Sequence, residues 1–464
     1  MKKNREKKPK KKSRRIFRTV LLLWLVFLLL CGTVPPLFHR TAEAAELPPG
    51  DPGERVLSID DNTEALIWRL RTIENAKKEL ILSYYGFADD ESGRDFMAAL
   101  LAAGDRGVKI RLLVDGFNLG LSSHTRFRAL AGHPNIEIRI YNPINLFLPW
   151  RANYRMHDKY IIADGQVYIL GGRNIKNVSL GNYMEQRDQD RDVLVYSPEP
   201  GENSSITGLT DYFEKIWNLS CSRKQRGPLF GGEKALKELR SHYEELHRTC
   251  PRAFEPADLK ESTLPSGGIV LLSGEPEPKN KKPVIWETLI KLMEQGQESM
   301  IQTPYLTCNG KMYEDLRNLT EAGKNLSIVL NSPQTGANLF CSVDYLNQKS
   351  KIRDLGGELY ECYGAHSIHT KTILIDDRIS VIGSFNCDMR SAYLDTELML
   401  VIDCPELNAD LRRQVREDMD SSLHLLPDGR EIPGASWTAA ELPAGKKILY
   451  GILRALVLPI RQLL

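Results

Sequence analysis

His157-Asp158-Lys159-Tyr160-Ile161-Ile162-Ala163-Asp164, followed by Gly171-Gly172-Arg173-Asn174, has a second copy farther along the chain. That copy reads His369-Thr370-Lys371-Thr372-Ile373-Leu374-Ile375-Asp376, followed by Gly383-Ser384-Phe385-Asn386. Both follow H-x-K-x4-D-x6-G-[GS]-x-N, and corresponding residues are separated by 212 positions throughout. In a strand, positions i and i+2 point the same way, so H-x-K predicts a His and a Lys on one face. The four residues after each Lys are mostly apolar and β-branched, as a buried strand requires.

The duplication extends outward. Asn62–Glu79 carries Leu66, Leu70 and Ile73 at helical spacing and leads into an apolar strand, Leu80–Tyr85. A helix around Arg94–Ala103, a stop at Gly107 and a strand over Val108–Val114 follow. The same order returns as a helix over Pro283–Gln295, a strand over Ser299–Gln302, a helix over Met312–Ala322, Gly323 and a strand over Leu326–Leu330. Helices alternating with short buried strands predict an α/β fold of two related domains. The predicted boundaries are 55–220 and 283–440, with a Pro-, Gly- and charge-rich connection over 221–282.

The whole chain has 464 residues, 42% hydrophobic and 26% charged, which excludes wholesale disorder and a small disulfide scaffold. Its net charge of +2 conceals a basic tail over 1–15 of net +9, leaving −7 for the rest. Residues 16–38 form the one long apolar segment, enough to cross a bilayer as a helix. With the basic tail inside, everything after it lies outside the cytoplasm as a single-pass protein. A cleaved signal peptide ending at Ala42-Glu43-Ala44 is the alternative, and the product would then be secreted. Residues 446–464 mix apolar residues with Lys446, Lys447, Arg454 and Arg461, which suits either a helix in the membrane interface or a terminal helix packed on the domain. The eight cysteines form no CxxC pair and, with the histidines, no zinc-ligand spacing, so no metal is expected.

Two His, two Lys and two Asn converging across a pseudo-twofold axis suit phosphate chemistry. Ammonium and amide groups donate to non-bridging oxygens. A neutral imidazole can attack phosphorus, and a protonated one can serve the leaving alcohol. The reading is therefore two-step phosphodiester transfer with no cofactor, the lysines supplying the positive charge. Each His wants an orienting carboxylate. Glu397 lies eight residues before Pro405 and Asp190 eight before Pro198, which selects this pair. Ser384 joins Asn174 and Asn386 as a phosphate-binding candidate. Asp164 and Asp376 complete the catalytic set by motif, although their place at a strand end suits fixing a turn better than moving a proton.

The paired motifs resemble the HKD motifs of the phospholipase D superfamily, and nearly the whole chain after residue 55 fits that layout. Tyr84-Tyr85, residues 89–116, Thr303-Pro304-Tyr305 and 383–391 resemble bacterial cardiolipin synthases, and GGRN at 171–174 resembles their C type. The resemblance implies two pseudo-twofold-related phospholipase D-like domains, each a mixed β-sheet flanked by helices, after one N-terminal transmembrane helix. Members of the group often have two such helices. The resemblance further implies a bacterial cell-membrane enzyme with His157 as nucleophile and His369 as acid, and Lys159, Lys371, Asn174 and Asn386 on phosphate. Its substrates would be phospholipids, phosphatidylglycerol and also phosphatidylethanolamine, without an obligate protein partner. A hydrolase releasing phosphatidic acid shares the same intermediate. A nuclease ranks lower, because the acidic body lacks the basic groove that nucleic acid needs.

Overall fold

The computed structural model describes residues 10–118, 120–145, 147–438 and 441–464. Residues 1–9 of the basic tail lie outside the described residues. The N-terminal helix runs Lys10–Thr33, so it begins within the tail and ends before residue 38. Its Arg15–Thr33 stretch has a mean hydropathy of 2.2 and none of it is buried in the protein. Nineteen residues rise about 28 Å as a helix, close to the thickness of a hydrocarbon layer.

Two nine-stranded sheets form the body. The first runs, in spatial order, Leu264–Pro265, Arg55–Ile59, Asp192–Tyr196, Val167–Gly171, Lys159–Ala163, Glu79–Tyr84, Lys109–Asp115, Ile136–Tyr141 and Ser222–Lys224. The second runs Gly268–Ser273, Leu398–Asp403, Ile379–Gly383, Thr372–Ile375, Glu298–Gln302, Asn325–Asn331, Glu358–Cys362, Ser422–Leu425 and Glu431–Pro433. Eight strands correspond in order, and each sheet adds one strand at the opposite edge. Glu79–Tyr84, Lys109–Asp115 and Ile136–Tyr141 pair in parallel, as do their counterparts in the second half.

The helices expected before the parallel strands form as Asn62–Asn75, Glu91–Asp105, Val284–Gln295 and Gly310–Glu321. Asp61, Asp90 and Asn309 accept from first-turn backbone N–H groups, the orphan donors a helix start must satisfy. Gly107 and Gly323 sit at φ 98° and 80°, which explains glycine at both stops.

Strand alternation builds three cores. Leu80, Leu82, Ile161 and Ala163 pack outward under helices of the first half, and Ile373 and Ile375 do the same in the second. Residues of the opposite parity, Ile81, Tyr160, Ile162 and Leu374, meet in a third core between the sheets. Both faces are buried, which is why the strands read as continuous apolar runs. Each buried aliphatic side chain contributes about 1.5–3 kcal/mol, so a shared core of this kind holds the halves as one body.

Residues 221–282 are less of a connection than their composition implies. Ser222–Lys224 pairs with Ile136–Tyr141, and helix Gly232–Thr249 packs Leu239 and Leu246 into the first core. Gly268–Ser273 already belongs to the second sheet, beside Leu398–Asp403. This short apolar strand was masked by the Pro, Gly and charge around it. All eight cysteines are free.

Candidate active site

Each H-x-K starts a central strand, and each orienting candidate starts the strand two places away. The carboxylates cross between the halves. His157 Nδ1 lies 2.9 Å from Glu397 Oε1, and His369 Nδ1 lies 2.5 Å from Asp190 Oδ2. Backbone pairing enforces the exchange. His157 N donates to the Thr396 carbonyl, and His369 N to the Gln189 carbonyl, each one residue before the carboxylate concerned. Met156 bridges Thr396, and Ser367–Ile368 pairs in parallel with Asp188–Gln189. Of the three neighbouring acids, Asp190 takes the histidine, whereas Asp192 pairs with the buried Arg69 and Arg173.

Lys159 and Lys371 are buried, and each ammonium donates to its own histidine's carbonyl oxygen. A buried ammonium costs several kcal/mol unless an anion meets it, so the pocket is built to receive one. Burial pushes Lys159 down to about 7 against the attraction of Glu397, and it lowers Lys371 against Asp190. His157 falls well below its usual value of 6.5 through burial, reinforced by Lys159. It also feels Lys371 and His369 as positive neighbours, which places the two motifs within electrostatic reach.

The two carboxyls respond in opposite ways. Burial lifts Glu397 to about 8 against Lys159 and the Ser384 and Ser391 hydroxyls. Burial opposes charge on Asp190 too, but Lys371 and His369 outweigh it and hold the carboxyl well below its usual range. The carboxyl of the first dyad is thus poised neutral and that of the second ionised.

Asn174 Oδ1 accepts from Gly86 N at 2.9 Å, so only its amide end is left to donate to an anion. Asn386 Nδ2 donates to the Tyr305 hydroxyl, and its Oδ1 is buried with no partner among the described residues. Ser384 is not placed on phosphate. It is buried and donates to Glu397 Oε2 at 2.5 Å while accepting from Leu398 N, so it holds the carboxylate.

Asp164 and Asp376 stand outside the cluster. Each follows the last residue of its strand, about 23 Å along from its motif's histidine at 3.3 Å per residue. Asp164 accepts from the backbone N–H groups of Lys77, Lys78 and Glu79, and Asp376 from those of Gln297 and Glu298. Their φ angles of 52° and 47° lie in the left-handed region that Asp tolerates. Their chemistry is that of a turn anchor.

Several residues of the site lie outside the H-x-K motifs. The Tyr85 ring lies 4.8 Å from that of His157, edge to face. Ser391 donates to Glu397 Oε1 at 2.6 Å, and Thr396 donates to the buried Asp158 at 2.5 Å. Tyr85 and Tyr305 belong to segments that carry the family resemblance, and each follows the corresponding strand of its half.

A family model described as "Cardiolipin synthase, PLD-like domain" matches residues 70–217 and 289–419, one match in each half. Cardiolipin synthase C of Escherichia coli is 30% identical over 82% of this chain and 88% of its own length. Cardiolipin synthase 1 of Bacillus cereus is 27% identical over 89% of this chain and 76% of its own. In fold, the crystal structure of a phosphatidylserine synthase from Haemophilus influenzae superposes with a TM-score of 0.60. The match covers 88% of this chain and 95% of that one at 16% identity.

Proposed function

The chain belongs to the phospholipase D superfamily and carries the cardiolipin synthase PLD-like domain in both halves, and we propose that it is a membrane-anchored phosphatidyltransferase that makes cardiolipin. The observation that carries this reading is the crossed pair of His–carboxylate dyads, one with a neutral carboxyl and one with an ionised carboxyl, beside two buried lysines.

In the first step, neutral His157 attacks the phosphorus of a glycerophospholipid through Nε2, since Glu397 occupies Nδ1. The P–N bond forms as the headgroup P–O bond breaks. The departing alcohol takes its proton from His369, whose imidazolium the ionised Asp190 supports. In the second step, His369 removes the proton from the terminal hydroxyl of phosphatidylglycerol. That oxygen attacks phosphorus, the P–N bond breaks, and His157 returns neutral. Lys159, Lys371, Asn174 and Asn386 hold the non-bridging oxygens in both steps. The apolar helix keeps the enzyme in the membrane with the catalytic body outside the cytoplasm, and phosphatidylglycerol or phosphatidylethanolamine serves as donor.

The test uses the purified chain in mixed micelles with labelled phosphatidylglycerol, alone and with phosphatidylethanolamine, read by mass spectrometry. Cardiolipin as the main product is expected. Phosphatidic acid alone would make the enzyme a hydrolase. Loss of both products from a folded protein would overturn the reading.

A further inference from the structure

The helix Ala444–Val457 resolves the two readings of its sequence by having two faces. Tyr450 and Val457 are buried against Val343, with Leu453 and Leu339 beside them, so one face docks on the second half. On the other face Ile448, Leu449, Ile452 and Leu456 are 67%, 43%, 57% and 59% exposed. At 100° per residue these four span an arc of about 100°, a continuous apolar stripe. A stripe of this kind on a helix already docked by its opposite side is not spare core, and it needs an occupant.

The occupant is indicated by what lies next to the helix. The chain's last turn runs on from it to Gln462, whose side chain donates to the carbonyl of Thr33, the last residue of the N-terminal apolar helix. Asn153 holds the preceding carbonyl, Gly32, at 2.7 Å. The end of the N-terminal helix is therefore clamped beside the C-terminal segment. The loop leading to Asn153 exposes Phe147 at 92%. Lys446 and Arg454 lie on the docked side, where they bond carbonyl groups of Gln334, Asn347 and Leu346 and hold the helix to the second half. The helix also reaches the site. Tyr450 donates to the Pro333 carbonyl, two residues past Asn331, whose amide holds the Ile368 carbonyl next to His369.

We propose that the helix Ala444–Val457 is a membrane-interfacial foot whose exposed apolar face lies in the headgroup layer of the leaflet where the N-terminal helix ends. The foot sets the mouth of the site against that leaflet. The inference rests on the membrane-anchored reading above, and its first test does not depend on turnover.

The full chain is reconstituted in vesicles of phosphatidylglycerol and phosphatidylethanolamine. Cys31→Ser and Cys250→Ser remove the two cysteines that are not buried. One environment-sensitive fluorophore is attached at Ile452→Cys or, as control, at Arg378→Cys in the turn at the far end of the His369 strand. Brominated lipid should quench the label at 452 and spare that at 378. Equal quenching at the two positions would overturn the proposal. A label at 452 shielded from lipid in a chain that is dimeric in detergent would also overturn it, assigning the face to a second copy. A second variant combines Ile448→Glu, Ile452→Glu and Leu456→Glu. It should lose about 10-fold in turnover on vesicles, where apolar insertion sets binding, and keep its rate on short-chain phosphatidylglycerol dissolved as monomers. Equal loss on both substrates would overturn the foot. Quenching at 452 without any cardiolipin formed would leave the foot standing and remove the transferase reading.

Discussion

Around His157 the second half supplies Glu397, held by Ser384 and Ser391 and crowded by the buried acids Asp158, Asp388 and Asp395. Around His369 the first half supplies Asp190, crowded instead by Lys371 and Arg173. The strand order, the H-x-K placement and the crossing backbone bonds are the same in both halves. A pseudo-symmetric scaffold therefore fixes position, and the neighbours of each carboxyl divide the labour. The division is visible in one duplicated place of the motif. Gly172 has no side chain because a Cβ there would stand 2.1 Å from Asp190 Oδ1. Its counterpart Ser384 is a hydroxyl that holds the longer Glu397. Short acid with glycine, long acid with serine: each half has its own matched pair.

The strongest test of this asymmetry removes each histidine in turn. His157→Ala and His369→Ala should each lower turnover of phosphatidylglycerol at least about 10³-fold. With a phosphodiester whose leaving group is p-nitrophenolate, no acid is needed in the first step. His369→Ala should then still release a burst of nitrophenol and trap a phosphoenzyme, whereas His157→Ala should do neither. A burst from His157→Ala would reverse the assignment. Next in size comes Gly172→Ser, which drives Asp190 off its position and should cost about 100-fold, the usual loss when a group orienting a reactive histidine is moved. Ser384→Gly removes one of two hydroxyls from Glu397 and should cost about 10-fold. If the two variants cost the same, the matched-pair argument fails.

The pH profile tests the electrostatic side. His157 is neutral well below its ordinary 6.5, so the acid limb of kcat/KM should lie under that value. Lys159 is active as a cation, present below its lowered value of about 7 and lost as pH rises through it, so the alkaline limb should fall near there. Lys159→Arg keeps a charge that does not titrate, and should move that limb upward by about a unit or more even as the maximum rate drops. A limb that stays in place would locate the titration elsewhere.

Much of this was legible because duplication prints the same chemistry twice. The H-x-K strands and the glycine stops could be read from period and spacing, and Asp190 and Glu397 stood out by their distance from Pro198 and Pro405. Spacing along a chain says nothing of which histidine each acid meets. The crossing depends on the Thr396 and Gln189 carbonyls pairing with the other half, a contact between residues more than 170 positions apart. Ser384 read as a phosphate ligand for the same reason: a hydroxyl at a motif position does not reveal what lies opposite it. Asp158 and Thr396 were silent, since each sits between charged or polar neighbours and its burial shows only when its partner is known. The Gly268–Ser273 strand was hidden by its surroundings.

The smallest expected effect on catalysis comes from the most regular part of the motif. Asp164 and Asp376 recur at the same place in both halves, and regularity alone would rank them with His and Lys. Their carboxylates accept from three and two backbone N–H groups respectively, at the strand end remote from the dyads. Replacing either with Ala should leave kcat within about 2-fold while costing about 0.5–1.5 kcal/mol of stability for each hydrogen bond lost at this solvent-accessible turn. Asp164→Ala, which orphans one more donor, should be the costlier of the two in urea denaturation. A loss of kcat as large as that of Gly172→Ser, in a protein of unchanged stability, would return both aspartates to the chemistry. The expected result makes them, like the Gly107 and Gly323 stops, a duplicated feature that serves the two halves identically, because holding a turn does not require the halves to differ.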